Sequence, residues 1–303
     1  MATILITGGS GLIGSHLTRA LLKAGHTVRH LSRTPGNIDG VQVFTWDIRQ
    51  GTMDRAALEG VDHIVHLAGA GIADERWTDA RVKVLIESRT RTAGLLLRTA
   101  RELGIKPRSF VSAAGINYYG AVTSEHVFTE DDPPGDDTIG RISREWEAAV
   151  DAWSDRCRVV KLRTPPVLAP NGGALPKIAL PARLGLASPI GSGDQWWTWV
   201  HIDDLVAAYV KALEDTSMQG AYNVCAPDQP DNRTYMRTLA QVLGRPFFLP
   251  PVPGFLLRLV LGEVADALLK GSRASILRLK STGFTFRHPE LKGALADCLR
   301  KDQ

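Results

Sequence analysis

The first fourteen residues constrain the fold more than any other stretch of the chain. Ile4–Ile6 is a short apolar run typical of a buried strand, and glycines follow it at once at Gly8, Gly11 and Gly14. From Leu12 onward, apolar residues recur at helical spacing. The pattern therefore predicts a strand, a tight turn and a helix N-terminus, the context in which glycine-rich turns hold a diphosphate.

The residues of this turn have separate predicted roles. Gly8 allows the tight turn, Gly11 lets the backbone approach a diphosphate, and Gly14 lets the helix pack closely on the strand. Leu12 and Ile13 open the helix, where unpaired amides and the helix dipole favour an anion. We assign these five residues to a dinucleotide site; a glycine-rich turn without a ligand is the alternative.

Predicted strands alternate with predicted helices along the first half of the chain. After the first strand, strand patterns lie at 27–32, 41–44, 63–67, 109–113 and 159–163, and long helical patterns lie at about 78–103 and 143–153. Such alternation is typical of a parallel sheet with helices on both faces. The sequence therefore predicts an α/β fold with a Rossmann-type, doubly wound parallel sheet.

The residues that follow the second predicted strand decide between NAD and NADP. NAD-selective sites usually have Asp or Glu there, about 20 residues after the glycines, to bind the ribose hydroxyls. This chain has Ser32 and Arg33 instead, with no acidic residue before Asp39. Arg33 offers a forked cation and Ser32 a hydroxyl to a 2′-phosphate. The sequence therefore predicts NADP(H) as cofactor; a merely solvated Arg33 is the alternative.

The composition changes in the second half of the chain. Proline and glycine become dense from Thr164, which predicts loops over the strand ends and a substrate-side cap. Pro250-Pro251-Val252-Pro253 predicts a stiff joint, and helical patterns follow at 254–269 and about 273–279. We predict an NADP-binding Rossmann domain over residues 1–245, with substrate-side segments from about 164 to 245, and a small helical C-terminal domain over 250–303.

Charge, hydropathy and cysteine spacing exclude several classes of function. The net charge of +4 is too small and dispersed to predict a nucleic-acid partner. No apolar run approaches the roughly 20 residues that a bilayer requires, so we expect no membrane segment. The sequence enters the first strand directly, without a signal peptide, which favours a cytoplasmic location. The three cysteines are far apart, and we expect no metal site.

Several motifs resemble those of the extended short-chain dehydrogenase/reductase superfamily: the glycine motif, Trp46-Asp47-Ile48 and His66-Leu67-Ala68-Gly69. Others narrow the resemblance to an atypical branch called epimerase family proteins, namely Arg76-Trp77-Thr78, Glu87-Ser88-Arg89, Tyr118-Tyr119-Gly120 and Trp199-Val200-His201-Ile202-Asp203-Asp204. The tail, with Gly262-Glu263 and Gly271-Ser272-Arg273, is similar to the C-terminal domain of unknown function in that branch.

The resemblance implies further cofactor contacts. Asp47 and Ile48 would flank the adenine, and Leu67 and Ala68 would line the cofactor after the fourth predicted strand. Arg89 would reach toward it from the long helix, and Val167 would lie near the nicotinamide. By analogy with the superfamily, the resemblance also implies a small-molecule substrate and a possible homodimer.

The usual catalytic pair of that superfamily, Tyr-x-x-x-Lys, is missing from this chain. The spacing puts both side chains on one helix face, where the ammonium lowers the phenol pKa. None of the five tyrosines has a lysine four residues later, and a loose alignment places Ile139 and Ser143 at the two positions. Tyr118 and Tyr119 remain as candidate proton donors, with packing aromatics as the alternative interpretation.

Two functions therefore stay open at the level of sequence. One is an NADP(H)-dependent oxidoreductase or nucleotide-sugar epimerase-like enzyme with an unusual proton donor. The other is a non-catalytic NADP(H)-binding redox sensor or regulatory protein, which the missing catalytic pair favours.

Overall fold

The structure, a computed structural model, describes residues 1–36 and 38–300, so that the last three residues of the predicted C-terminal domain, 301–303, lie outside it. Its strands are Thr3–Thr7 (β1), Thr27–Ser32 (β2), Val41–Asp47 (β3), Thr52–Met53 (β4), His63–His66 (β5), Ser109–Gly115 (β6), Val127–Phe128 (β7), Arg158–Thr164 (β8), Val167–Ala169 (β9), Gly172–Gly173 (β10), Val200–His201 (β11), Gly220–Asn223 (β12) and Arg273–Ala274 (β13).

The α-helices cover the sheet and build the C-terminal region. They are Leu12–Lys23 (α1), Asp79–Glu102 (α2), Thr138–Asp151 (α3), Leu175–Arg183 (α4), Ile202–Glu214 (α5), Asn232–Val242 (α6), Gly254–Leu261 (α7), Asp266–Leu269 (α8), Leu277–Ser281 (α9) and Leu291–Arg300 (α10). Among the described residues, no helix is both long and apolar enough to cross a bilayer.

The main sheet has the strand order β12-β8-β6-β5-β1-β2-β3-β4. Its strands pair in parallel except for the short β4, which runs antiparallel to β3. The order reverses at β1, which pairs with β2 on one side and β5 on the other. The predicted Rossmann-type fold is confirmed, and its topological switch point, where such sheets bind ligands, lies at the carboxyl ends of β1 and β5.

The sheet lies between two helical layers. Ile4 and Ile6 of β1 belong to the core that contains α1 and α5, whereas Leu5 belongs to the core beside α2 and α3. Alternate residues of a strand point to opposite faces, so a central strand covered on both faces must be apolar throughout. This is why the first strand reads as a continuous apolar run.

The predicted element bounds hold for the central strands but not everywhere. Helix α3 begins at Thr138 rather than near residue 143, because the Asp137 carboxylate accepts the Gly140 N–H and caps the helix there. The helix predicted over 254–269 is interrupted at Gly262, whose φ of 63° ends α7. The helix predicted from residue 273 is wrong at its start, since Arg273–Ala274 pairs with β7 as a strand.

The substrate-side and C-terminal segments share one core. Leu175 of α4, Tyr235 and Leu239 of α6, and Leu295 of α10 are buried together. Phe284, between α9 and α10, packs instead into the core under α1 and α5. The boundary predicted at residue 250 stays a prediction.

Candidate functional site

Almost all predicted cofactor residues lie at the carboxyl edge of the main sheet. Parallel strands end at the same edge, so residues distant in sequence meet there. The residues placed there are Gly8, Gly11, Leu12, Ile13 and Gly14 after β1, Ser32 and Arg33 at the end of β2, Asp47 and Ile48 at the end of β3, Leu67 and Ala68 after β5, and Val167 after β8. Leu12, Ile13 and Gly14 belong to the first turn of α1, and Arg89 comes from the long helix α2.

The glycine turn has no room for side chains. Gly8 has a φ of 70°, and a Cβ there would lie 3.0 Å from the Ala68 nitrogen. A Cβ on Gly14 would lie 2.4 Å from the Gly8 carbonyl oxygen. Because the contacts are with backbone, no side-chain movement would relieve them. The turn, α1 and the residues after β5 are therefore packed backbone against backbone.

The N-terminus of α1 suits an anion. Gly11 caps the helix without a side-chain hydrogen bond, and the first turn has no acidic residue. The amides at this end, together with the helix dipole, offer donors and partial positive charge to a diphosphate. The cradle that a Cβ would fill and these donors together fit the dinucleotide predicted from the sequence.

The polar side chains at the ends of β2 and β3 differ in their exposure and in the hydrogen bonds they make. Arg33 is exposed, and the Ser32 hydroxyl oxygen lies 3.4 Å from the Thr34 nitrogen. Asp47 accepts the N–H groups of Arg49 and Gln50 at 2.8 and 3.0 Å, so its carboxylate shapes the turn after β3. Arg33 is thus exposed to solvent, and its contact with a 2′-phosphate stays a prediction.

The hairpin of β9 and β10 lies over the start of α1. A Cβ on Gly172 would be 3.0 Å from Leu12 Cδ1, and one on Gly173 would be 2.8 Å from the Val167 carbonyl oxygen. The structure thus brings the predicted residues Leu12 and Val167 together across this hairpin. Their contact with a cofactor stays a prediction.

Arg89 lies beneath the loop that follows β5. Its guanidinium donates to the Ala70 carbonyl at 2.9 Å and lies 4.7 Å from the centroid of a Trp146 ring. A Cβ on Gly69 would be 3.1 Å from Arg89 Cζ. Burial lowers the pKa of Arg89 to about 10, and its Nε is buried without a hydrogen-bond partner. Arg89 therefore supports the loop from below, and its predicted reach to the cofactor is untested.

The Tyr119 hydroxyl both donates and accepts a hydrogen bond within the protein. The side chain is 3% exposed, donates to Asn223 Oδ1 at 2.8 Å and accepts from Arg163 Nη1 at 2.9 Å. Burial raises the pKa of Tyr119 above its ordinary value. With its proton already bound to an amide oxygen, Tyr119 fits a structural role better than proton transfer.

Tyr118 differs from its neighbour. It is only half-buried in the 3₁₀ turn Ile116–Tyr119, directly after β6. The Arg163 guanidinium carbon lies 3.5 Å from its ring centroid, and the ring meets Tyr119 edge-on at 5.6 Å. The phenol is thus fixed by contacts to its ring, at the carboxyl edge and on the β5 side of the switch point.

A buried ion pair between Arg163 and Glu147 positions the guanidinium that contacts both tyrosines. Glu147 of α3 accepts from Arg163 of β8 at 2.7 and 3.0 Å and lies 3.1 Å from Lys161 Nζ. Burial alone would lower the pKa of Arg163, but the hydrogen bonds and charge of Glu147 outweigh it and raise that pKa. Arg163 and Glu147 are 2% and 4% exposed, so the pair fixes the guanidinium rather than presenting it to solvent.

Helix α3 contains neither Tyr nor Lys. Ser143 on its inner face lies 3.8 Å from the position of a Cβ on Gly115, the last residue of β6. Ile139 and Ser143 are both buried. Ser143 therefore lies beside the end of β6, and the assignment of Ile139 and Ser143 to the two positions of the missing pair stays a prediction.

Within the described residues, one group of possible metal donors comes together that the sequence did not predict. Donor atoms of His201, Asp203 and His288 lie within 4.8 Å of one another. The two imidazole rings stack with centroids 3.7 Å apart, so their nitrogen lone pairs run side by side rather than toward one point. His201 Nδ1 also accepts the Asp203 N–H as the cap of α5. The arrangement fits a helix cap better than a metal ligand set.

Comparison with known families matches residues 4–225 to the NAD dependent epimerase/dehydratase family, and residues 252–298 to a domain of unknown function, DUF1731. Epimerase family protein SDR39U1 of Homo sapiens is 36% identical over 299 residues, which are 97% of this chain and 98% of that protein. Epimerase family protein YfhF of Bacillus subtilis is 31% identical over 302 residues, with 98% and 97% covered.

Solved structures show the same likeness. The crystal structure of human SDR39U1 (isoform 2) with NADPH superposes with a TM-score of 0.88 and 34% identity, over 98% of this chain and 99% of that one. A UDP-glucuronic acid 4-epimerase from Bacillus cereus, with UDP-glucuronic acid and NAD, gives a TM-score of 0.78 at 20% identity, over 99% of each chain. At that identity the second likeness shows the shared fold alone.

Proposed function

The chain belongs to the NAD dependent epimerase/dehydratase family, and on that premise we propose that it is an NADP(H)-dependent oxidoreductase or epimerase-like enzyme acting on a small-molecule substrate. The observation that carries the proposal is the N-terminus of α1, which has no side-chain cap and no acidic residue in its first turn, together with Arg33, exposed at the end of β2. The NADPH bound to the human relative, 34% identical, supports the choice of cofactor. The cytoplasmic location, the homodimer and the lack of a nucleic-acid partner stay predictions.

Different residues at the carboxyl edge would bind different parts of the cofactor. The amides of Leu12 and Ile13 face the diphosphate, and Arg33 with Ser32 takes the 2′-phosphate. Bound NADP(H) supplies a hydride donor or acceptor. Leu67 and Ala68 line the middle of the crevice.

Tyr118 is the proposed proton donor and acceptor. It follows β6, its half-buried ring is fixed by Arg163, and a phenol can exchange a proton with a substrate oxygen. Tyr119 is less suitable, because its hydroxyl already donates to Asn223. Arg163 acts on Tyr118 as a positioning residue, since its own donors are taken by Glu147, Tyr119 and a backbone carbonyl.

A non-catalytic NADP(H)-binding sensor is the second candidate. The composition of α3 favours it, because this helix contains neither Tyr nor Lys and Ser143 is the residue that lies beside the end of β6. The two candidates share the cofactor site and differ in whether Tyr118 exchanges a proton with a substrate.

Equilibrium titration of NADPH, NADP⁺ and NADH tests the cofactor site that both candidates need. Arg33→Ala should weaken NADPH binding about tenfold or more and leave NADH binding unchanged, because a charge-assisted phosphate contact is worth roughly 1.5–3 kcal/mol. Arg55→Ala is the matched control, since Arg55 is also exposed but pairs with Glu102. Equal binding of NADPH and NADH by the wild type, or unchanged NADPH binding by Arg33→Ala, would contradict the proposal.

A further inference from the structure

A histidine without solvent exposure lies directly beneath the proposed cofactor crevice. His66 ends β5 and is 0% exposed. Its Nδ1 lies 2.8 Å from Thr7 Oγ1 of β1, and its Nε2 lies 3.2 Å from Thr92 Oγ1 of α2. The ring therefore connects the first strand to the long helix through two hydroxyls.

The hydroxyl of Thr92 fixes one end of this connection. Thr92 Oγ1 lies 2.8 Å from the carbonyl oxygens of both Ser88 and Arg89. A carbonyl oxygen only accepts, so the Thr92 hydroxyl must donate its hydrogen to them. The single hydroxyl hydrogen is thus used on the helix backbone. Thr92 Oγ1 must then accept from His66, so the proton of the ring is on Nε2.

The hydroxyl of Thr7 fixes the other end. Thr7 Oγ1 accepts the N–H groups of Leu67 and Ala68, each at 3.2 Å. The Leu67 N–H is shared with the Thr7 carbonyl oxygen, at 3.1 Å. Because Thr7 Oγ1 already accepts from two N–H groups, its own hydrogen is directed to His66 Nδ1, which must then be unprotonated. Both ends thus require the same neutral tautomer, and no other tautomer satisfies both hydroxyls.

The peptide between Leu67 and Ala68, which Thr7 Oγ1 holds, also packs against the glycine turn. A Cβ on Gly8 would lie 3.0 Å from the Leu67 carbonyl carbon and from the Ala68 nitrogen. Whatever orients the peptide between Leu67 and Ala68 therefore orients Gly8 as well. These two segments form the opposite sides of the crevice at the switch point.

We infer that His66 is a positioning residue for NADP(H): as its neutral Nε2–H tautomer it orients the Thr7 hydroxyl, which holds the Leu67–Ala68 peptide against the glycine turn. This role rests on the proposed function. In this role His66 would contact neither cofactor nor substrate itself.

Protonation of His66 would break the arrangement. An imidazolium donates from both nitrogens, so its Nδ1–H would point at the Thr7 hydroxyl oxygen, which already accepts from two N–H groups. The groups packed against the ring are the Phe110 ring of β6, 5.6 Å between centroids, and the charged Arg89 of α2. Burial lowers the pKa of His66 to about 4; it outweighs a hydrogen bond to the Arg89 backbone, which raises that pKa, and the charge of Arg89 lowers it further. With this pKa, the His66 ring is neutral at any pH above about 5.

Two substitutions separate the two ends of the ring. In His66→Asn the amide oxygen can take the place of Nδ1 and accept from Thr7, whereas in His66→Gln the amide nitrogen can take the place of Nε2 and donate to Thr92. Thr7→Ser keeps the relevant hydroxyl, and Thr7→Val removes it. We expect His66→Asn and Thr7→Ser to bind NADPH within about threefold of wild type. His66→Gln and Thr7→Val should weaken binding about tenfold or more.

Nitrogen-15 NMR of the wild-type chain without cofactor tests the tautomer itself. The inference requires a protonated Nε2 and an unprotonated Nδ1 on His66 throughout the range from about pH 5 to 8. An Nδ1–H tautomer, a charged ring at pH 6, or full NADPH affinity in His66→Gln would overturn it while leaving the proposed function intact. A wild type that fails to bind NADPH would overturn the proposed function, and this role with it.

Discussion

At the scale of single residues, two adjacent tyrosines have opposite environments. Tyr119 is buried with both a donor and an acceptor partner on its hydroxyl, and Tyr118 is half-buried and held by its ring. The sequence could not separate them, because both follow the same strand. Their partners, Asn223 and Arg163, come from β12 and β8, far along the chain.

Phenylalanine substitutions should therefore differ in their effect on stability. Tyr119→Phe leaves Asn223 Oδ1 without its donor in a buried site and should lower the free energy of unfolding by about 1–3 kcal/mol. Tyr118→Phe should change it by no more than about 0.5 kcal/mol. Urea unfolding followed by circular dichroism measures both. Equal losses in the two variants would contradict the assignment of Tyr119 as the structural tyrosine.

At the scale of elements, the cation beside the candidate proton donor comes from a strand instead of a helix. Arg163 extends from β8, and Glu147 on the inner face of α3 fixes it. Glu147 is one helical turn beyond Ser143, the residue aligned with the superfamily lysine. The contact between α3 and β8 therefore determines how the tyrosine ring is held.

Glu147→Gln tests the importance of this contact. It leaves the buried Arg163 without its carboxylate, and we expect a loss of about 3–5 kcal/mol in the free energy of unfolding. Glu102→Gln is the matched control, because Glu102 pairs with Arg55 at the surface and should change stability by less than about 1 kcal/mol. A Glu147→Gln variant as stable as that control would show that the buried pair contributes little.

The local patterns of the sequence predicted the central sheet and the glycine turn, because strand and helix periodicity depend on neighbouring residues. They missed β12, which has only four residues and is defined by its pairing with β8. The partners of His66 and Arg163 were missed for a related reason. Such pairs join residues distant in sequence, and only the strand order brings them together.

At the scale of the whole molecule, three buried histidines are kept neutral. Burial lowers the pKa of His30, His63 and His66 below the ordinary value of 6.5, to about 4 for His66. In the unfolded chain each would take up a proton near pH 6.5. Their contribution to stability is therefore complete above about pH 6.5 and is lost as the pH falls toward their folded-state values.

The free energy of unfolding should decrease accordingly in mild acid. His66 alone should account for a loss of about 2 kcal/mol between pH 7.5 and 5. His66→Asn should remove about that much of the pH dependence, whatever its stability at pH 7.5. Urea unfolding at the two pH values, for wild type and variant, measures this difference. An identical pH dependence in both would show that His66 is not held neutral by the fold.

The measurement that tests the central claim most directly is turnover by the purified chain of a broad substrate panel, with Tyr118→Phe measured beside the wild type: NADPH oxidation with carbonyl compounds, and NADP⁺ reduction or formation of the epimer with nucleotide sugars. The proposal predicts turnover of at least one substrate, and a loss of about 100-fold or more in kcat for Tyr118→Phe with NADPH affinity unchanged. NADPH binding without turnover of any substrate, or equal turnover by the variant, would contradict the proposed enzyme chemistry.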